Sequence, residues 1–350
     1  MKKLAKENKI IATDASTNTK PTVISLFSGA GGMDLGFKLA GYDVIWANDN
    51  YDDAVNTYKH NLGAHINLGD IEDIKVENIP YADIVVGGFP CQGFSVANMN
   101  RRMDDSRNLL YRKFVEVVKK IRPPYFLAEN VKGILSLGKG HVFECILRDF
   151  TEAGYCCVYS LLNAANYGVP QNRERVFILG IRKDLNTNIS FPPKPTHTGH
   201  HITIGEALAN LPEPDENHNL KNHKYSKFKL KFNGYISNRV TDPNKPCPTF
   251  TARGDSKGGA MVLHHPSNKR RLSCREAACI QGFPLNYEFF GTMTSVYRQI
   301  GNAVPPPLAE AIARCILDHM KYQDKNNEVD TAFKKSSLPF SFAQSSLELT

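Results

Sequence analysis

Between Thr22 and Ile181, short apolar β-rich runs alternate with stretches of helical period, and this alternation restricts the fold more than any other feature of the chain. Thr22–Ser28 (TVISLFS), Asp43–Ala47 (DVIWA), Ala82–Val86 (ADIVV), Tyr125–Ala128, Cys157–Leu162 and Val176–Ile181 read as strands. Amphipathic stretches lie between them: one running to Ala40, then Tyr51–His60, Asn108–Ile121 and His141–Ala153. Strands this apolar must be covered on both faces, and the intervening helices supply the cover. The fold class is therefore α/β, with a mostly parallel, doubly wound sheet.

The alternation stops near Lys183, and Phe191–Pro195 (FPPKP) reads as a linker. From there to about Pro266 the chain is rich in Asn, Pro, Gly, His and Lys, with short β-like pieces and little helical period. Helical signal returns at Ser273–Gln281 and Pro307–Tyr322. The expected organisation is a loose arm over 1–21 and a main domain built from 22–186 and 296–322. A smaller, mainly β and irregular domain covers 187–295, and a polar tail over 323–350 is expected to be ordered in part. No internal repeat is present. No stretch approaches the ~20 apolar residues of a membrane span. The basic N-terminal stretch lacks the apolar core of a secretory signal, so a cytoplasmic location is expected.

Charge is distributed unevenly. The chain carries 43 basic and 35 acidic side chains, a net of +8. Between Thr187 and Glu276 there are 14 Lys or Arg and 7 Asp or Glu, a net of +7. Seven of the 11 histidines fall in the same window. A solvated lysine-coated face and a polyanion-binding domain both fit that pattern. The eight cysteines (Cys91, Cys145, Cys156, Cys157, Cys247, Cys274, Cys279, Cys315) contain no Cys-x-x-Cys pair, which excludes a zinc ribbon or thioredoxin-like framework. They read as reduced thiols, most of them small buried residues.

Cys91 stands apart. It lies in Gly87-Gly88-Phe89-Pro90-Cys91-Gln92-Gly93-Phe94-Ser95, directly after strand ADIVV, at the carboxyl end where α/β sheets hold ligands. A glycine-flanked loop exposes a thiol, and a thiol with a lowered pKa is a nucleophile. Phe27-Ser28-Gly29-Ala30-Gly31-Gly32 sits at a strand-to-helix turn, where glycines let backbone approach a ligand. A tight turn holding nothing fits that run equally well. Asp49 ends the second strand, near where a carboxylate caps a ribose in nucleoside-binding folds, and Asp70 follows the next β-like piece. Glu129-Asn130-Val131 ends another strand, and Gln171-Asn172-Arg173-Glu174-Arg175 precedes VFILG. Arg173 and Arg175 are two apart, so on one strand they would point the same way. Singly each is an ordinary surface ion-pair residue. Together, a thiol, a carboxyl and two guanidiniums on one sheet edge suit attack on an electron-poor ring.

These motifs, with Arg270–Ala278 running into Gln281-Gly282-Phe283-Pro284 and with Arg298–Pro305 (RQIGNAVP), resemble the cytosine-5 DNA methyltransferases of the bacterial restriction-modification type, in the family's order. The resemblance covers Thr22 to Met320 apart from the basic window, which matches the family's variable target-recognition region. It implies an S-adenosylmethionine-dependent methyltransferase fold. Cys91 would attack carbon 6 of a cytosine flipped from duplex DNA, Glu129 would hold or protonate nitrogen 3, and Arg175 with Arg173 would position both, with Gln92 beside the nucleophile. S-adenosylmethionine, leaving as S-adenosylhomocysteine, would contact Phe27, Gly29, Gly31, Gly32, Asp49, Asn50, Asp70, Ile71, Pro90, Leu109 and Asn302. The family usually has Glu where this chain has Asp49. Ser95, Arg101 and Arg102 belong to the loop expected to close over the flipped base.

The same resemblance gives the basic window a role. Asn217–Thr241 holds six Lys or Arg, Arg239 among them, and no acid, with Tyr225, Phe228, Phe232 and Tyr235 interleaved. Phosphate contact is the implied role. Thr249 and Arg253, in PTFTARG, are the implied recognition-loop residues, with Arg253 suited to guanine. The implied partner is double-stranded DNA, with no membrane, a monomeric enzyme and a cognate restriction endonuclease acting on the same site. RNA on the same scaffold is the alternative substrate. A DNA-binding protein on an inactive scaffold is disfavoured by the intact Cys91, Glu129 and Arg175.

Overall fold

The computed structural model describes residues 20–89, 109–186, 188–227, 238–252, 262–267 and 269–336. Its centre is a seven-stranded sheet. The strands are β1 (Thr22–Leu26), β2 (Asp43–Asp49), β3 (Ile66–Leu68), β4 (Ile84–Gly87), β5 (Tyr125–Val131), β6 (Tyr155–Asn163) and β8 (Glu174–Arg182), in the order β3-β2-β1-β4-β5-β8-β6. Every neighbouring pair is parallel except those made by β8, which runs antiparallel to both β5 and β6. One reversed strand thus carries Arg175 to the edge where the other strands end.

Successive residues of each strand feed two different cores. Val23, Ile84, Val86 and Leu127 pack on one face under α1 (Gly32–Leu39) and α8 (Pro306–Ser336), beside Phe37, Leu308, Ile312 and Ile316, while α2 (Asp52–Asn61) sets Val55 and Tyr58 against Ala47 and Ile66. Ile24, Leu26, Val85, Phe126 and Ala128 pack on the other under α3 (Leu109–Ile121) and α4 (His141–Glu152), beside Phe114 and Phe150. The period of two along a strand makes this division. Helix α8 returns to the start of the chain. A Cβ on Gly36 would lie 2.5 Å from the Ala309 Cβ, so glycine sets the close approach of α1 and α8. The Tyr42 hydroxyl donates to Ala313 O over 3.1 Å. Helix α8 also runs past Tyr322 to Ser336, because Gln323–Ser336 contains neither proline nor glycine to stop it.

A third core joins α5 (Ile204–Leu208), α6 (Cys274–Ile280) and α7 (Met293–Asn302). Phe250, Leu263, Leu272, Ala277, Phe283, Tyr297 and Ile300 fill it, and Ala30 of the glycine-rich turn enters from the sheet side. Two short parallel pairs border it. β10 (Cys247–Pro248) pairs with β7 (Gln171–Asn172), and β11 (Val262–His264) pairs with β9 (Asn238–Val240). The boundary expected at 295/296 falls inside α7, whose Val296, Tyr297 and Ile300 all lie in this third core. Of the described cysteines, all free, only Cys247 and Cys274 are buried, fewer than the sequence suggests. Cys156 is exposed because β6 is the edge strand.

Candidate active site

A cavity of about 730 Å³ opens where β1, β2, β4 and β5 end and β8 begins. Its size is that of a cofactor or small-ligand site, and its position is the one α/β sheets favour. Phe27 (φ 55°), Gly29 (φ 55°) and Gly31 (φ 82°) take left-handed backbone and turn the chain from β1 into α1. Phe27, Gly29 and Gly32 line the cavity. Gly31 does not: a Cβ there would press on Leu62, Tyr58 and the Tyr287 hydroxyl behind the loop. Tyr287 in turn donates to Ala30 O over 2.5 Å, so the back of the loop is held by the third core.

Asp49 faces the loop from the end of β2. Its Oδ2 accepts the Gly29 N–H at 2.7 Å and its Oδ1 accepts the Tyr51 N–H at 2.9 Å. Burial pushes this carboxyl up, while the two N–H donors and the Arg298 charge pull it back. Each oxygen keeps a lone pair for a ligand hydroxyl. Asn50 lines the same wall. Asn48 donates to Asn67 O (3.1 Å) and Gly69 O (2.9 Å), fixing the turn that brings Asp70 and Ile71 to the cavity. Asn302 and Ala303 close the opposite side.

The deep end holds Glu129 and Arg175. Arg175 Nε lies 3.0 Å from Glu129 Oε1, and each side chain is 13% exposed. Burial pushes the Glu129 carboxyl above the usual range, opposed by the charges of Arg175 and then Arg173. The second oxygen, Oε2, stands over Gly88, where a Cβ would come within 2.7 Å of it. Gly88 is three residues before Cys91. Asn130, to which the sequence gives no role of its own, donates its Nδ2 to Phe89 O at 3.0 Å and so anchors the chain leading to that thiol. Its signal lay in the Glu-Asn-Val run.

Arg173 departs from the sequence expectation. It and Arg175 both reach the cavity, but not as neighbours on one strand. β7 ends at Asn172 because it pairs with β10, while β8 starts at Glu174 and pairs with β5 and β6. Arg173 sits in the break, 1% exposed. Its Nη1 donates to Phe250 O (2.8 Å) and its Nη2 to Gly301 O (2.9 Å) and Ala303 O (3.0 Å). A further unassigned pair guards the rim: the Arg298 guanidinium lies 4.6 Å over the Tyr51 ring, and Tyr51 donates to Ser295 Oγ at 2.6 Å.

Of the other expected contacts, Leu109 opens α3, Arg239 lies in β9, and Thr249 Oγ1 donates to Asn172 O at 2.7 Å beside Arg175. Pro90, Cys91, Gln92, Ser95, Arg101, Arg102, Arg253, Phe228, Phe232 and Tyr235 lie outside the described residues. The basic window also holds less free charge than its composition suggests. Arg270, Arg271 and Arg275 are buried. Arg270 forks onto Glu276 at 2.8 Å and also bonds Glu213 at 2.8 Å. Arg275 donates to Lys221 O and Tyr287 O. These arginines hold the third core together. Lys194, Lys221, Lys224, Lys227, Lys245 and Lys269 are exposed.

A glycine-rich turn bonded to the Asp49 carboxylate, on a sheet with one reversed strand, matches an α/β methyltransferase fold. The Dnmt2 methyltransferase of S. pombe shares the fold, with a TM-score of 0.64 at 20% identity over 86% of this chain and 99% of that one. The chain belongs to the C-5 cytosine-specific DNA methylases, whose family profile matches residues 21–318. It is 38% identical to the Type II methyltransferase M.NgoFVII of Neisseria gonorrhoeae over 92% of this chain and 93% of that one. It is also 38% identical to the Type II methyltransferase M.MthTI of Methanothermobacter thermautotrophicus, over 84% and 96%.

Proposed function

We propose that this enzyme methylates carbon 5 of one cytosine within a specific duplex DNA sequence, as the modification partner of a restriction endonuclease that reads the same site. The observation that carries the reading is the Glu129–Arg175 pair, half-buried at the deep end of the cavity whose other end is the glycine-rich turn and Asp49. The residues present fit S-adenosylmethionine. Gly29 and Gly32 bare the backbone, Asp49 has lone pairs for ribose hydroxyls, and Ile71 offers an apolar wall beside Asp70 for a purine. Bound there, the cofactor supplies an electrophilic methyl group to carbon 5 and leaves as S-adenosylhomocysteine.

The chain's own residues do the rest. A cytosine in a duplex is out of reach of a thiolate, so the base turns out of the stack into the deep end. Cys91 adds to carbon 6. Negative charge then builds on the ring, and Glu129, kept protonated more than a free glutamate, gives its proton to nitrogen 3. Arg175 holds Glu129 Oε1 and leaves Oε2 for the base. After methylation, the carbon-5 proton passes to solvent as Cys91 leaves as a thiolate, and nitrogen 3 returns its proton to Glu129, which restores the ring. DNA is favoured over RNA by the family and by similarity, over most of the chain, to Type II methyltransferases. No helix among the described residues is long and apolar enough to cross a membrane. We propose a monomer working in the cytoplasm on nucleoid DNA.

The test is a trap. Host DNA sequenced for carbon-5 methylation, with and without this gene, defines the site. A duplex carrying 5-fluorocytosine at that position should then form a denaturation-resistant adduct with the enzyme and cofactor, mapping to Cys91, because fluorine cannot leave as a proton does. Adduct on RNA alone, or none on either, contradicts the reading.

A second expectation concerns salt. Binding should weaken with a slope near −0.9 per phosphate contacted. Because three of the window's arginines are buried, exposed lysines should carry that slope. Lys221→Ala and Lys224→Ala should each reduce it by about 1 if both meet phosphate. An unchanged slope in both variants would move the DNA away from this face.

A further inference from the structure

Arg173 is a buried cation with no carboxylate of its own. The nearby acid, Glu129, is paired with Arg175. Arg173 instead spends its terminal nitrogens on carbonyls of Phe250, Gly301 and Ala303, and its Nε finds no partner. Burying a guanidinium on neutral acceptors is a costly way to stabilise a fold, since desolvation is only partly returned. The three carbonyls belong to two functional segments. Phe250 lies between Thr249 and Arg253, the expected recognition-loop residues, and Gly301 and Ala303 flank Asn302 on the cofactor wall.

Those two segments also touch directly. A Cβ on Gly301 would fall 2.2 Å from the Thr251 carbonyl carbon and 2.3 Å from the Ala252 nitrogen. A second path runs in parallel. Gln171 Oε1 accepts the Phe250 N–H at 2.9 Å, and its Nε2 donates to Gln281 Oε1 at 2.5 Å. Gln281 Nε2 then donates to Ala303 O at 2.6 Å. Both paths start on the short stretch 171–175 that ends in the base-holding Arg175.

We propose that Arg173, supported by Gln171 and Gln281, is a positioning residue that couples DNA recognition to cofactor binding. Seating the recognition segment on DNA shifts the bonded Phe250 carbonyl, and the shared guanidinium passes that shift to the wall around Asn302. The coupling is reciprocal: whatever factor DNA adds to cofactor affinity, cofactor adds to DNA affinity. The inference rests on the function proposed above, and the methylation map tests that function independently.

The experiment measures S-adenosylhomocysteine binding by calorimetry with and without the mapped duplex, and duplex binding with and without S-adenosylhomocysteine. In the wild type the two ratios should agree, at about tenfold. Arg173→Lys keeps the charge but cannot fork onto three carbonyls. Its ratio should fall toward one, with a smaller loss for either ligand alone. Gln281→Ala removes the second path without touching the guanidinium, and should lower the ratio partway even if the lysine variant does not fold. A wild-type ratio of one overturns the proposal. So does a wild-type ratio kept in the variants, or an equal loss of both single affinities with the ratio intact. Methylation of the mapped site alongside any of these results would leave the proposed function standing and remove only the coupling.

Discussion

Replacing Glu129 with glutamine should slow single-turnover methyl transfer by about 10²–10⁴-fold, with little change in affinity for S-adenosylhomocysteine. Glutamine has the same shape and can still accept from Arg175 Nε, so the 3.0 Å contact has a substitute. It cannot release a proton to nitrogen 3. The pH dependence separates the two roles. Burial lifts the Glu129 carboxyl above its ordinary range, with Arg175 and Arg173 opposing. The acid form therefore persists to higher pH than in a free side chain, and its contribution to the rate is lost as pH rises through the lifted pKa. The thiolate of Cys91 grows over the same direction of pH, so the wild type should show a falling alkaline limb imposed on a rising one. The glutamine variant should keep only the rising limb. A falling limb retained in Glu129→Gln would assign it to another group, and a loss under tenfold would deny Glu129 the proton.

The parts of the site that were legible in the sequence are those set by strand ends. Glu129 and Asp49 each close an apolar run, and a parallel sheet brings such ends to one edge. What stayed hidden depended on partners far along the chain. VFILG is as apolar as the parallel strands, so nothing local marks β8 as reversed. The spacing of Arg173 and Arg175 suggests one strand. The break between them exists because Gln171 pairs with Cys247, and that pairing has no trace in QNRER. The basic window holds less free charge than its composition suggests for a similar reason. Ser273-x-x-Glu276 is a capping-box pattern, and the box forms, with Ser273 Oγ accepting from the Glu276 N–H. The same glutamate also takes the Arg270 fork, so part of the apparent DNA-binding charge is spent inside the fold.

Asp34→Asn should stabilise the protein at pH 8, by about 2–4 kcal/mol. Asp34 lies in the first turn of α1, beneath the glycine-rich loop, with no exposed surface. Neither oxygen has a partner in hydrogen-bond geometry. The Ser25 and Tyr58 hydroxyls pull its pKa down: Ser25 accepts from the Ser28 hydroxyl at 3.0 Å and keeps its own O–H, while Tyr58 is shared with His65 Nε2 at 3.0 Å. Asp49 adds a like charge nearby. Burial therefore wins and lifts the carboxyl from 3.8 to about 7. The sign follows from linkage. A folded pKa above the unfolded one means that folding takes up a proton between the two, so stability falls as pH rises from about 4 to 7 and is flat beyond. At ~1.4 kcal/mol per pKa unit the full lift sets a ceiling near 4 kcal/mol, and the unsatisfied amide of asparagine takes back part of it. Urea unfolding of both proteins at pH 5, 6, 7 and 8 should show a gap that opens with pH. A constant gap would trace the effect to shape, and a destabilised variant at pH 8 would mean that the Ser25 and Tyr58 hydroxyls satisfy the carboxylate. The charge lies under the loop that should cradle the cofactor, so the same titration repeated with S-adenosylhomocysteine would show whether binding closes the gap. Because that ligand adds stability to both proteins alike unless Asp34 changes its proton occupancy, any narrowing of the difference reports the carboxyl directly.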